Sequence, residues 1–342
     1  MKKENLILKY FQKADQLTVK NPTYCSTISS LFRWLVENDK AGSDITTRLL
    51  GLKLRSTAKI ISREEGVIAG LEEVSYLTKK HTSLLCKTLT TDGERINKNQ
   101  IIAEIRGSIN KILTYERTIL NTLQRMSGIA TETHRFINLL DNPQPTTHNP
   151  QPFIAATRKT PWMILDKKAV AIGGGLTHRL NLSDGILIKD NHLIALKKEY
   201  RLKTTEEAIE KALKHPWGGV APAAHPGGEG ITNAKGSEIN LIEIEVTTPH
   251  QAYLTLQTWN TMSRELRTMN YLALMFDNFS QDQVKTTLSS LNDLDRQQII
   301  FEASGGIDEI NIRQWVKTGV DIISIGALTH SPKAVNFSLE IH

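Results

Sequence analysis

The chain has 342 residues, enough for one large domain or two ordinary ones. Hydrophobic residues at 39% and charged residues at 23% exclude a chain dominated by disorder, and a formal charge of +6 suits an anionic partner without naming it. Two cysteines, Cys25 and Cys86, exclude a disulfide framework or a Cys-rich metal site and fit a reducing cytoplasm, the expected location.

The opening MKKENLILKYFQKADQ has no continuous apolar core, and no run approaches the length needed to cross a bilayer, so neither export nor membrane insertion is expected. Over 23–38 the apolar residues fall at 28, 31, 32, 35 and 36, a helical spacing. The isoleucine-rich segments TAKIISREEGVIAGL and QIIAEIRGS follow, punctuated by Gly66, Gly70 and the Asp92-Gly93 turn. They predict an antiparallel α+β unit in roughly the first 110 residues. From 114 to 140, Ile119, Leu120, Leu123, Met126 and Ile129 line one face of a long helix, with a break expected near Gly128.

Beyond it, strand-like runs occur at 185–189 (GILIK), 241–246 (LIEIEV), 271–277 (YLALMFD), 298–305 (QIIFEASG) and 321–327 (DIISIGA). Helical segments such as TTEEAIEKALKH, SQDQVKTTLSSL and NIRQWVKTGV lie between several of them. This alternation predicts a parallel sheet, closed or nearly closed as a β/α barrel. Two Pro- and Gly-rich stretches, 141–152 and 215–236, read as surface loops. The C-terminal AVNFSLEIH alternates Val335, Phe337, Leu339 and Ile341, which suits an antiparallel strand returning to pair with strands below residue 110.

In a barrel, chemistry sits at the carboxyl ends of the strands. The residues that fall there are Arg158 and Lys159 in ATRKT, His178 and Arg179 in LTHR, and Lys189 in LIKDNH, with Arg117 in YERT a sixth cationic candidate. Such a set repels itself unless an anion with several charges joins it. Glu245 and Asp277 end two strands and are candidates to hold Mg²⁺ or sugar hydroxyls, or else to cap helices or pair with nearby lysines. The small-residue turns ASGGI and IGAL follow the last two strands, where backbone N–H groups bind phosphate. His178 and His192 lack metal-ligand spacing and are assigned hydrogen-bonding roles. No nucleophile elbow, GxGxxG or Walker loop is present, and the scattered Lys and Arg give no nucleic-acid signature.

In order, YERTILNTLQRMSGIAT, TRKTPWMILDKKAVAIGGGLTHRLNLSDGILIKDNHL, IEIEV, MFDNFS and FEASGGIDEINIRQWVKTGVDIISIGALTHS resemble the blocks of the quinolinate phosphoribosyltransferase family, also called carboxylating nicotinate-nucleotide pyrophosphorylases. SDITT and GVIAGL are similar to its N-terminal blocks more loosely. The resemblance implies an N-terminal α/β sandwich over 1–115, completed by 330–342, and an open seven-stranded β/α barrel over 116–329. It implies transfer of phosphoribosyl from phosphoribosyl pyrophosphate to quinolinate with loss of CO₂, giving nicotinate mononucleotide and pyrophosphate for NAD synthesis.

Carried over residue by residue, Arg158, His178, Arg179, Lys189 and a neighbouring subunit's Arg117 surround the two quinolinate carboxylates, and Thr157 is a further substrate-binding residue. Lys159, Glu245 and Asp277 meet phosphoribosyl pyrophosphate and its Mg²⁺, and the catalytic set is Lys159, Lys189, Glu245 and Asp277. Ser304, Gly305, Gly306, Gly326 and Ala327 receive the 5′-phosphate. A homodimer or larger homo-oligomer with a shared site is implied. Ala156, Thr177 and Ser43 depart from the family pattern without removing a charged site residue, and the 215–236 insertion is unusual. Two alternatives are a same-fold enzyme for another acceptor, such as the molybdenum-associated branch, and a non-catalytic barrel that binds a phosphorylated ligand.

Overall fold

The computed structural model describes residues 2–140, 151–214, 241–261, 271–291 and 298–342. The loops expected at 141–152 and 215–236 lie outside the described residues, apart from Gln151 and Pro152. The strands run in chain order β1 (Arg55–Ser62), β2 (Gly66–Val67), β3 (Leu85–Thr88), β4 (Arg95–Ile96), β5 (Ile101–Ser108), β6 (Phe153–Ala155), β7 (Ile186–Ile188), β8 (Leu241–Val246), β9 (Tyr271–Asp277), β10 (Ile299–Ser304), β11 (Ile322–Ser324) and β12 (Phe337–Ile341). They belong to two compact units. One comprises Met1–Gln12, Leu139–Ala155 and His178–Ile325, and the other Lys13–Asn138, Ala156–Thr177 and Gly326–His342.

The second, antiparallel unit is built on a four-stranded sheet ordered β12-β1-β5-β3. β12 pairs antiparallel with β1, Ile60 opposite Leu339, so the C-terminal strand does return to the first sheet. Its covered face is apolar: Ala58, Ile60, Ala103 and Ile105 pack with Ile119, Leu120, Leu123 and Phe337. Each such isoleucine or leucine, fully buried, contributes about 1.5–3 kcal/mol. The helix Pro22–Asn38 starts on an Asn21 cap, whose side chain accepts the Thr23 N–H, with proline at its first turn.

The long helix is continuous over Ile109–Leu139, without the expected break. Gly128 has a different task. A Cβ there would stand 2.1 Å from the Lys333 carbonyl oxygen, so the glycine lets the chain leading to β12 lie directly on the helix.

The first, parallel unit holds six strands among the described residues, ordered β6-β11-β10-β9-β8-β7, where seven were implied. Every pairing is parallel. β6 was not foreseen from the sequence, being only three residues long. The stretch after the three glycines forms no strand. Leu176 makes one bridge, its carbonyl accepting the Ala156 N–H, and His178 then turns to φ 55°, which ends any ladder. The helices Thr205–Lys214, Pro249–Thr261 and Gln281–Ser289 fall between strands as the alternation predicted.

Candidate active site

β8 is buried along its whole length, yet its residues 3 and 5 are glutamates. Successive side chains alternate between faces, so Glu243 and Glu245 share one face. The parallel register sets Met275 beside Glu245 and Glu302 beside Met275, and pairs Asp277 with Ser304. That face therefore carries Glu243, Glu245, Asp277, Glu302 and Ser304. The opposite face presents Ile242, Ile244, Leu272, Leu274 and Phe276, all wholly buried.

At the carboxyl end of this face the Lys189 ammonium pairs with Glu245. Lys189 also caps the helix Asp190–Glu199, its N–H donating to Nδ1 of His192 at 2.9 Å, so the second histidine has the hydrogen-bonding role expected of it. Asp277 accepts the side-chain amide of Asn278 at 2.9 Å. Gly305 and Gly306 adopt φ 93° and 62°. A Cβ on Gly305 would lie 2.3 Å from Asn278 Oδ1, so only glycine lets that turn close against the end of β9. Arg179 donates Nη1 to the Gly185 carbonyl at 3.2 Å, and Asp184 accepts the Leu180 N–H at 2.9 Å, closing the loop between them.

His178 sits deeper. It is 5% exposed, and its Nε2 faces Glu243 Oε1 at 3.3 Å and Glu302 Oε2 at 3.4 Å. Its Nδ1 accepts the Arg179 N–H at 2.8 Å. Both ring nitrogens are thus engaged within the protein, where the resemblance had this imidazole meeting substrate. Burial works against a charged imidazole, while the carboxylates of Glu243 and Glu302 favour it. Burial likewise lifts Glu243 to about 7, against the pull of the imidazole. Glu302 is buried as well, and His178 and Ser324 together hold it below the usual carboxylate range. A second ring proton would displace the Arg179 amide from Nδ1, so the geometry itself describes a ring protonated on Nε2 alone.

Thr157, Arg158, Lys159, Arg117, Gly326 and Ala327 belong to the antiparallel unit. There the Lys159 N–H donates to the Thr157 hydroxyl at 3.1 Å, and the Lys159 carbonyl accepts the Thr329 hydroxyl at 2.9 Å. A Cβ on Gly326 would lie 3.2 Å from Lys159 Cδ, so the TRKT turn and the IGAL turn are in contact. Asp166, wholly buried, anchors this pair of turns. It accepts Nε and Nη2 of Arg125 at 2.7 and 2.8 Å and the Thr160 hydroxyl, while Arg125 also reaches the Thr329 carbonyl at 2.8 Å. Arg117 lies on the exposed side of the helix Ile109–Leu139, paired with Glu116 at 2.8 Å.

Sequence reasoning missed Glu243, Glu302, Arg125 and Asp166. For the two glutamates a signal existed: a carboxylate inside an otherwise apolar strand run, as in LIEIEV and IIFEAS, is costly unless partnered. For Arg125 and Asp166, 41 residues apart on different helices, the one-dimensional pattern held nothing.

A parallel α/β sheet with Lys189, Glu245, Asp277 and the Gly305-Gly306 turn at its carboxyl end has the layout of an α/β enzyme site. Family models for the quinolinate phosphoribosyl transferase N-terminal domain match residues 44–127, and those for its C-terminal domain match 129–215 and 231–340. The probable carboxylating nicotinate-nucleotide pyrophosphorylase of Methanothermobacter thermautotrophicus is 32% identical over 317 residues, covering 91% of this chain and 98% of that one. Its Bacillus subtilis counterpart is 33% identical over 309 residues, 89% of each chain. The solved nicotinate-nucleotide pyrophosphorylase of Francisella tularensis superposes with a TM-score of 0.70 at 29% identity, covering 93% of this chain and 96% of that one. The chain belongs to the quinolinate phosphoribosyltransferase family. It is a phosphoribosyltransferase.

Proposed function

We propose that this enzyme joins quinolinate to the ribose of phosphoribosyl pyrophosphate and releases CO₂ and pyrophosphate, giving nicotinate mononucleotide for NAD synthesis. The observation that carries the reading is the end of the parallel sheet, where Lys189, Glu245 and Asp277 replace apolar residues on one face. Arg158, Arg179 and Lys189 grip the dicarboxylate, with the partner subunit's Arg117 completing the cage. That arginine is exposed on its own chain and so available to a second copy in a dimer or larger assembly.

The pyridine nitrogen attacks the ribose C1 as the bond to pyrophosphate breaks, and Glu245 and Asp277 stabilise positive character on the sugar. The C–CO₂ bond then breaks, its electron pair stays on the ring carbon, and a proton fills the position. The cationic groups offset the negative charge that develops there. Lys159 meets the pyrophosphate, and backbone N–H groups of Ser304, Gly305, Gly306, Gly326 and Ala327 receive the 5′-phosphate. Glu245 and Asp277 are oxygen donors on one face and fit a hard cation; they would hold Mg²⁺ together with the substrate's phosphates, and the ion would offset the leaving group's charge. Catalysis is positioning and electrostatics, with no covalent intermediate on the protein.

Among the described residues no helix is long and apolar enough to cross a membrane. With both cysteines, Cys25 and Cys86, free, we place the enzyme in the cytoplasm. Incubation with Mg²⁺, phosphoribosyl pyrophosphate and either quinolinate or nicotinate tests the assignment. Mononucleotide and CO₂ from quinolinate alone are expected; product from nicotinate, or from neither acid, overturns it. Mixing Arg117→Ala with Lys189→Ala chains is expected to restore part of the activity that each lacks, which a site confined to one chain forbids.

A further inference from the structure

We propose that Glu243 and Glu302 are positioning residues for Arg179, acting through the ring of His178. The inference rests on the reading that Arg179 grips a carboxylate of the acceptor. His178 has φ 55°, a left-handed conformation that a non-glycine residue adopts only when its surroundings impose it. Its surroundings hold it there. The His178 N–H donates to the Phe11 carbonyl at 2.8 Å, and the ring stands edge-on to the Phe11 ring with centroids 5.0 Å apart at 83°. Nδ1 takes the Arg179 amide, and Nε2 points to the two carboxylates.

The ring is therefore fastened at both ends: to β8 and β10 by its far nitrogen, and to the first atom of Arg179 by its near one. β8 and β10 are themselves locked in register through β9. Without the carboxylates the Nε2 end of the imidazole loses its anchor and only the Phe11 contact orients the ring, so Nδ1 no longer stays fixed against the Arg179 amide, the contact that aims Arg179 at the loop ending in Gly185.

Stability does not account for the two glutamates. Leucine or methionine would fill the same space without desolvating a carboxylate, whereas Glu302 is wholly buried and neither of its oxygens has a hydrogen-bond partner within ordinary distance. A metal ion is the other occupant such a trio suggests, since one ligand atom from each of His178, Glu243 and Glu302 lies within 4.8 Å of the others. Histidines that bind metal through one nitrogen donate a proton from the other. Here the other nitrogen is an acceptor, which leaves the proton on Nε2 and makes the trio a hydrogen-bonded anchor.

The test uses the full-length enzyme and the variants Glu302→Leu, Glu302→Gln, Glu243→Leu and Glu243→Gln, with KM measured separately for quinolinate and phosphoribosyl pyrophosphate. Losing the Glu243 acceptor of Nε2–H, or the Glu302 carboxylate that faces the ring at 3.4 Å, is expected to raise the quinolinate KM on the order of 10-fold in the leucine variants. The KM for phosphoribosyl pyrophosphate should stay within about twofold, and glutamine, which still accepts the proton, should recover most of the loss. The ¹⁵N shifts of His178 give a readout independent of turnover and of each variant's yield: in wild-type enzyme Nε2 is protonated and Nδ1 is bare. A bare Nε2, addition of Zn²⁺ or Mn²⁺ shifting that resonance, or leucine variants in which both KM values move together, overturns the proposal. If wild-type enzyme leaves quinolinate untouched, the acceptor assignment fails by itself, and the ¹⁵N shifts of wild type and Glu302→Gln still decide whether the carboxylates hold the ring.

Discussion

The two sheets are buried to different degrees and treat charge differently: β1 alternates buried with partly exposed residues, whereas β8 is buried along its whole length. In the antiparallel unit the covered face of β1 and β5 is alanine and isoleucine, and the charged residues Lys59, Glu104 and Arg106 are kept off it. In the parallel unit β8 and β10 are buried on both faces, yet one face carries Glu243, Glu245 and Glu302. A sheet covered on one side can send its charges to water. A sheet covered on both sides holds a charge only where a partner meets it, so its buried charges mark positions kept for chemistry or for orienting the groups that do chemistry.

That contrast is sharpened or broken by four substitutions. The largest effect is expected from Lys189→Ala, on the order of 10²- to 10³-fold in kcat/KM with quinolinate and with the circular dichroism spectrum preserved, as for loss of one electrostatic group at a reacting centre. Near-normal turnover would put the charged face outside the chemistry. Next comes Gly128→Ala in the antiparallel unit, where the new methyl meets the Lys333 carbonyl. A loss of about 2–4 kcal/mol is expected in denaturant unfolding, and no loss would mean that β12 is not pressed against the helix.

Glu73 comes third, because it is the antiparallel unit's own buried carboxylate. Burial, reinforced by Asp92, raises it to about 7 although Tyr24 donates to it at 2.7 Å. A folded-state value above the ordinary 4.5 means that the native protein binds the proton more tightly, so stability is full below pH 4.5, falls as the pH rises and levels off above 7. Glu73→Gln should remove that slope and stabilise the protein above pH 7 by roughly 1–3 kcal/mol. An unchanged pH profile in thermal melts would show that Glu73 is ionised in the native state. The smallest effect is expected from Arg135→Ala, whose surface pair with Glu132 at 2.7 Å is worth under about 0.5 kcal/mol.

Much of the fold was legible. LIEIEV and YLALMFD form strands over the residues expected, and AVNFSLEIH pairs with β1, because alternating or continuous apolar runs bounded by polar residues admit few other structures. β6 was not legible, since three residues carry no period, and neither was the continuity of the helix through Gly128, since a glycine kept for close approach looks the same as one that breaks a helix. In the site, Lys189, Glu245 and Asp277 were read from their place at strand ends, and the structure sets Lys189 against Glu245 as one of the weighed readings had it.

The amino-acid sequence alone determined the two sheets, their strand directions and the family, since these follow from the period of apolar residues and from motifs contiguous in the chain. Only the tertiary structure decided which polar groups meet: Arg125 with Asp166, and His178 with two glutamates from strands 59 residues apart. The reason is that a hydrogen bond needs its atoms within about 3 Å of each other, and no pattern along the chain specifies a distance between residues that the fold has yet to bring together.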